Sequence, residues 1–221
     1  VPTRTEIFER IWRENAWKGT ESRSGRGSGV ARTAPLRTAL EAFLDEVRPA
    51  LLYDAPCGDF VWMAHVRLPA GTRYLGADIV PGLIAENLRR HSAPHRRFVV
   101  ADIVTDPPPP DAEVWLCRES LFHLSFADAL AALGHWRSSG VGWLLATTTP
   151  TVTANVDVPT GGWRRMNLAV APFDLGPPLA TLPDAAPTDA SKVVGVWRRP
   201  ERATSPSSAS TPGIPCWSWS A

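Results

Sequence analysis

Leu51-Leu52-Tyr53-Asp54-Ala55-Pro56-Cys57-Gly58-Asp59-Phe60 is the stretch that decides the fold. An apolar run ends in an acid, passes a Pro56-Cys57-Gly58 turn and enters an amphipathic segment over residues 60–66. That order predicts a buried strand, a tight turn and a helix. In an open parallel sheet, ligands sit beyond the carboxyl ends of the strands, where such turns open. Gly58 has no Cβ and lets a ligand approach the backbone closely. Asp54 offers an acceptor for cationic or hydroxyl groups.

Two further acids close strands at matching places. Residues 72–78 read as a second strand ending in Asp78, and residues 98–102 as a third ending in Asp102. An acid at the second strand tip accepts ribose hydroxyls, and a carboxylate at the third can accept an exocyclic amine. A single strand-end acid is ordinarily a helix N-cap. Three in succession, at intervals of 24 residues, point to a nucleoside ligand.

The order Asp54-Ala55-Pro56-Cys57-Gly58, Gly76-Ala77-Asp78-Ile79, Ala101-Asp102-Ile103 resembles class I methyltransferases that depend on S-adenosylmethionine (SAM). The resemblance covers roughly residues 50–150. It implies a Rossmann-like, doubly wound α/β fold: a mostly parallel seven-stranded sheet, helices on both faces and an N-terminal helical lid. It also implies cofactor contacts at Asp54, Ala55, Pro56, Cys57, Gly58, Asp78, Ile79, Asp102, Ile103 and Arg118. The chain departs from the family pattern where further loop glycines are common, carrying Pro56, Asp59 and Phe60 instead. It also lacks the G-x-G-x-x-G of nicotinamide-dependent oxidoreductases, which disfavours that competitor. A catalytically inactive binding or scaffold protein on the same fold is the other alternative.

Composition narrows the partners. The formal charge of +1 leaves no global footprint for nucleic acid. No apolar run approaches the length of a membrane span, and the first residues do not read as a signal peptide. Cys57, Cys117 and Cys216 lack metal-ligand spacing and read as reduced thiols of a cytoplasmic protein. No metal is expected.

Residues 3–17 carry Ile7, Phe8, Ile11 and Trp12 at helical spacing. The Gly-, Ser- and Arg-rich residues 17–29 read either as a flexible linker or as a lid whose Arg23 or Arg26 meets a carboxylate or polar substrate. Helices follow over residues 34–47, 81–91 (opened by Pro81) and 126–137, the last capped by Ser125. Strands over residues 112–118 and 141–147 precede a late edge hairpin formed by residues 175–183 and 192–198. The expected units are residues 1–48 (helices and lid), 49–200 (the SAM-binding domain) and 201–221, a Ser-, Pro- and Thr-rich disordered tail.

The acceptor is read from two loops. Arg118, Glu119 and His123 follow the fourth strand, where substrate-facing groups are common in the resembled class. His123 is the expected general base, because imidazole titrates near neutrality, with Glu119 or Asp157 behind it. The long polar loop after the fifth strand contributes Asn155, Asp157, Trp163, Arg164 and Asn167 as an acceptor wall. That set suits a small polar molecule or a glycan. The expected activity is therefore methyl transfer, most simply O-methylation.

Overall fold

The structure, a computed structural model, describes residues 2–184 and 191–199. The expected tail over 201–221, Cys216 included, lies outside the described residues. Seven strands run in chain order: β1 (Leu51–Asp54), β2 (Arg73–Asp78), β3 (Arg96–Val100), β4 (Val114–Cys117), β5 (Trp143–Thr148), β6 (Ala180–Pro183) and β7 (Val193–Arg198). They form one sheet ordered β3-β2-β1-β4-β5-β7-β6. The first five pair in parallel, and β7 runs antiparallel to both β5 and β6. The strand order reverses between β1 and β4, which is where open α/β sheets hold ligands. The late hairpin at the sheet edge is as the sequence predicts.

Alternation along each strand builds two cores. Leu51 and Tyr53 of β1, with Trp115 and Cys117 of β4, face one side; Leu52, Val114 and Leu116 face the other. Helix α2 (Ala34–Val47) covers the second side with Leu36, Leu40 and Leu44, spaced four apart and no more than 1% exposed. Burial of each such leucine is worth about 1.5–3 kcal/mol. Helix α3 (Pro81–His91) adds Leu83 and Ile84 to that face. Helix α4 (Phe126–Ser138) supplies Ala129, Ala132, Leu133 and Trp136 to the opposite one. The central strands β1, β4 and β5 are buried along nearly their whole length because both faces are covered. No described helix is long and apolar enough to cross a membrane.

Three local features differ from the sequence reading or sharpen it. Helix α1 (Arg4–Arg13), opened by a capping box between Thr3 and Glu6, stops short of residue 17. Asn15 and Lys18 take φ of 47° and 53°, outside the helical region. The helix expected over residues 60–66 is absent; only a 3-10 turn at Met63–His65 forms. Phe60 sits at φ 60°, which no α-helix accommodates, and its ring packs on Tyr74 and Phe98 with centroids 5.1 Å apart in each case. Within the loop after β5, Leu168 and Phe173 are fully buried and anchor it.

Candidate cofactor cleft and active site

The carboxyl ends of β1 to β4 open into a cleft of about 980 Å³, counting its mouth. All three strand-end acids line it. Asp54 is 2% exposed and accepts the Tyr74 hydroxyl at 2.6 Å. Burial pushes its carboxyl up to about 7, against the lowering effect of that hydrogen bond. Asp78 accepts the amides of Gly58 and Val80, each at 3.1 Å. Burial outweighs these bonds too and raises it to about 6. Asp102 accepts the Val104 amide at 2.9 Å and pairs with Arg4 at 2.7 Å. Each carboxylate oxygen can accept a second bond, so Asp54 and Asp78 are poised for a ligand that brings positive charge or hydroxyls.

The N-terminal segment lies across this cleft. Phe8, Trp12, Trp17, Arg23, Ser24 and Ser28 all line it. Asp59 is the fastening point. It accepts Ser22 Oγ at 2.9 Å and the Arg23 amide at 2.7 Å, while its own amide donates to Ser24 Oγ at 2.9 Å. This accounts for the departure from the family's glycine pattern: the acid holds the N-terminal segment against the turn. Gly58 itself has φ 55°, and a Cβ there would stand 2.3 Å from Ser24 Oγ. Arg4 reaches past Asp102 to Asp128 at 3.2 Å, tying α1 to both the loop after β3 and α4. Among the cations lining the cleft, Arg4 and Arg118 have acid partners, whereas Arg23 lies over the Trp12 ring at 5.7 Å and has none among the described residues.

Arg118 and Glu119 form one buried network past the tip of β4. Arg118 donates to Asp184 at 2.7 Å and to the Gly27 carbonyl at 2.8 Å, and lies 5.1 Å over the Trp62 ring. Its guanidinium joins the N-terminal segment, the glycine turn and the β6–β7 hairpin. Glu119 sits at φ 56°, its amide held by Thr147 Oγ1 at 2.8 Å and its carboxylate paired with Lys192. Burial alone would raise that carboxyl, but Arg118 and Lys192 outweigh it and hold it below the usual range.

His123 ends a 3-10 turn (Leu121–His123) and lines the cleft. Its Nδ1 lies 2.6 Å from the Gly162 carbonyl. A carbonyl only accepts, so Nδ1 carries the proton and a neutral ring leaves Nε2 with a free lone pair. Burial lowers its pKa below the ordinary imidazole value, partly offset by the Gly162 bond and Glu119. The ring stacks on Trp17, with centroids 4.9 Å apart and planes at 26°.

The loop residues expected to form the acceptor wall do not line the cleft. Asn155 donates to the carbonyls of Asn167 and Ala171 at 2.9 and 2.8 Å and accepts the Asn167 amide at 2.9 Å. Asn167 donates to the Val152 carbonyl at 2.8 Å. Asp157 accepts the Phe126 amide at the start of α4 at 2.7 Å. Arg164 donates to the Leu124 carbonyl at 2.5 Å and lies 4.9 Å over Phe126. Trp163 is 61% exposed. A long loop must satisfy its own backbone groups, and these side chains do that. The clamped loop presents residues 160–162 to His123, whose carbonyl accepts the Gly161 amide at 2.7 Å. The residues missed in the sequence are Arg4, Phe8, Trp12, Trp17, Ser24, Asp59 and Trp62, all in the cleft wall. Phe8 and Trp12, four apart on α1, carried a usable signal; Trp17 and Trp62 carried none beyond being tryptophans.

Among the described residues, no group of His, Cys, Asp and Glu is arranged to hold a metal, and Cys57 and Cys117 are free and buried. No protein-family model and no curated protein sequence matches the chain. Solved structures do. A 1,6-didemethyltoxoflavin-N1-methyltransferase from Burkholderia thailandensis, with S-adenosylhomocysteine (SAH) bound, superposes with a TM-score of 0.63 at 16% identity over 87% of each chain. A magnesium protoporphyrin IX methyltransferase from Synechocystis PCC 6803, with SAM bound, gives 0.60 at 15% identity, covering 90% of this chain and 98% of that one. The cyclase SpnF gives 0.53 at 18% identity over 79% and 71%. At such identities the likeness speaks for the fold, which a cyclase also shares. The chain has the Rossmann-like fold of class I SAM-dependent methyltransferases.

Proposed function

We propose that the protein is a SAM-dependent methyltransferase that modifies a hydroxyl of a small molecule. The observation that carries this reading is the pair of buried acids, Asp54 and Asp78, facing a cleft at the switch point beneath Gly58. Burial keeps both carboxyls above their ordinary range despite their hydrogen bonds, and a ligand with a cationic amino-acid end and a ribose would favour their ionised forms. The structural neighbours named above hold SAM or SAH, which supports the same ligand.

Asp78 would take the ribose hydroxyls and Asp54 the ammonium end. Arg23, the cation without an acid partner, would take the carboxylate. Ile79, Ile103 and Val104 would flank the base, and Asp102 its amine, alongside the Arg4 ion pair. SAM, when bound, supplies a methyl group already activated on a sulfonium. The chain's own tasks are then to orient the acceptor, exclude water and remove a proton. His123 Nε2 is the proton acceptor, with Nδ1 fixed on Gly162. Glu119 stands in the same wall, paired with Lys192, and favours the imidazolium that forms.

A second reading, a SAM-fold protein that binds without methylating, draws on the likeness to the cyclase SpnF. Calorimetric titration of SAM, followed by a methyl-transfer assay, tests the first reading and separates it from the second.

A further inference from the structure

The acceptor end of the cleft is built from rings. Trp17 and Trp62 line it with His123, whereas Trp12 lies against Gly82 at the start of α3, beside the end given to the ribose and base. Three of the polar side chains in the cleft wall are already engaged. Arg118 serves Asp184 and Gly27, Glu119 serves Lys192, and Ser24 serves the Asp59 amide. No asparagine or glutamine lines the cleft. A polyhydroxylated acceptor needs many convergent hydrogen bonds, and unpaired polar groups buried against rings are costly. A flat ring needs only a face to lie on.

Resting on the methyltransferase reading, we propose that the acceptor is a planar hydroxylated aromatic compound that lies against Trp17, with its ring hydroxyl directed at His123 Nε2. Trp17 is then the specificity-determining residue of the acceptor site. In the proton step the O–H bond breaks and an N–H bond forms at Nε2, leaving an aryloxide and an imidazolium whose Nδ1–H stays on Gly162. Aryl hydroxyls suit this base chemically. They titrate near about 10, as tyrosine does, whereas an alkyl hydroxyl is far less acidic, about as weak an acid as water. A buried imidazole held below its ordinary value reaches the first far more readily.

The experiment uses the full chain. SAM is first titrated calorimetrically. Catechol, 5-hydroxyindole and a hydroxyflavone are then compared as acceptors with methyl glucoside and hexanol, and Trp17→Ala and Trp17→Phe are assayed alongside. The expected result is a kcat/KM for the hydroxyarenes about 100-fold or more above the glycoside and the alcohol. Trp17→Ala should raise the acceptor KM about tenfold, with SAM affinity unchanged and most of the loss recovered in Trp17→Phe. Equal transfer to the glycoside or alcohol overturns the proposal. So does a Trp17→Ala loss confined to SAM affinity, which would assign the indole to the cofactor. If nothing turns over, hydroxyarenes are titrated into SAH-loaded protein, and absence of binding overturns it as well. Failure to bind SAM at all would instead sink the underlying reading.

Discussion

His123 donates its Nδ1 proton to the Gly162 carbonyl at 2.6 Å, and this one bond sets the tautomer of the only histidine in the cleft wall. It joins the turn after β4 to a loop from beyond β5, so two distant segments must fold together before Nε2 is presented. His123→Gln should lower kcat for methyl transfer by about 10²–10⁴-fold, with SAM affinity within a factor of two. In the unmodified protein kcat should rise with pH and level off below 6.5, since burial, Arg164 and Lys192 lower the imidazole while Gly162 and Glu119 raise it. A rate that keeps rising well above that value would assign the base to another group.

Asp54 and Asp78 make the cleft sensitive to pH. Their folded values, about 7 and about 6, both lie above the ordinary 3.8. The folded state therefore binds more protons than the unfolded one between these limits, and their contribution to stability declines as pH rises from about 4 to 7. A cationic ligand favours the ionised forms, so SAM affinity should climb between pH 5 and 7, by up to about tenfold per unit for each proton released. Calorimetry in buffers of differing ionisation heat would register that proton release. Asp54→Asn should flatten the slope.

Gly58→Ala introduces a Cβ at φ 55° and 2.3 Å from Ser24 Oγ. Left-handed strain alone costs about 1–2 kcal/mol. The thermal midpoint should fall, and SAM affinity should fall with it, because the turn and the N-terminal segment are displaced together. Adding Ser24→Gly relieves the contact but not the strain and should restore part of the loss.

Arg118 and Asp184 are a buried ion pair, 3% and 5% exposed. Arg118→Ala leaves Asp184, among the described residues, with Lys192 at 3.9 Å, and should destabilise by about 3–5 kcal/mol in urea denaturation. It also frees the Gly27 carbonyl. The double variant Arg118→Met with Asp184→Leu should be closer to the parent in stability than Arg118→Ala alone.

Much of the fold was legible because strand burial writes itself into sequence. Leu51–Asp54 and the run ending at Asp78 are apolar up to an acid, and Ser125 and Pro81 mark helix starts by known local chemistry. Phe60 was not legible. Its positive φ is held by rings from β2 and β3 that sequence proximity does not reveal, so the helix expected after β1 gave way to a 3-10 turn. The residues expected as an acceptor wall do not line the cleft for a related reason. Asn155, Asn167 and Asp157 have the same composition whether they bind a ligand or satisfy their own loop, and only the fold decides between these. Trp17 and Trp62 carry no periodicity that would point them at a cleft, and the link between Asp59 and Ser22 spans too many residues to be read locally.

That the strand-tip acids hold SAM is checked by calorimetric titration of SAM into the unmodified chain and into Asp78→Ala. Micromolar binding should weaken by about 10–100-fold in the variant, the loss of a charge-assisted pair of ribose bonds. Well-folded protein that binds no SAM, or an Asp78→Ala variant that binds as tightly as the parent, would contradict it.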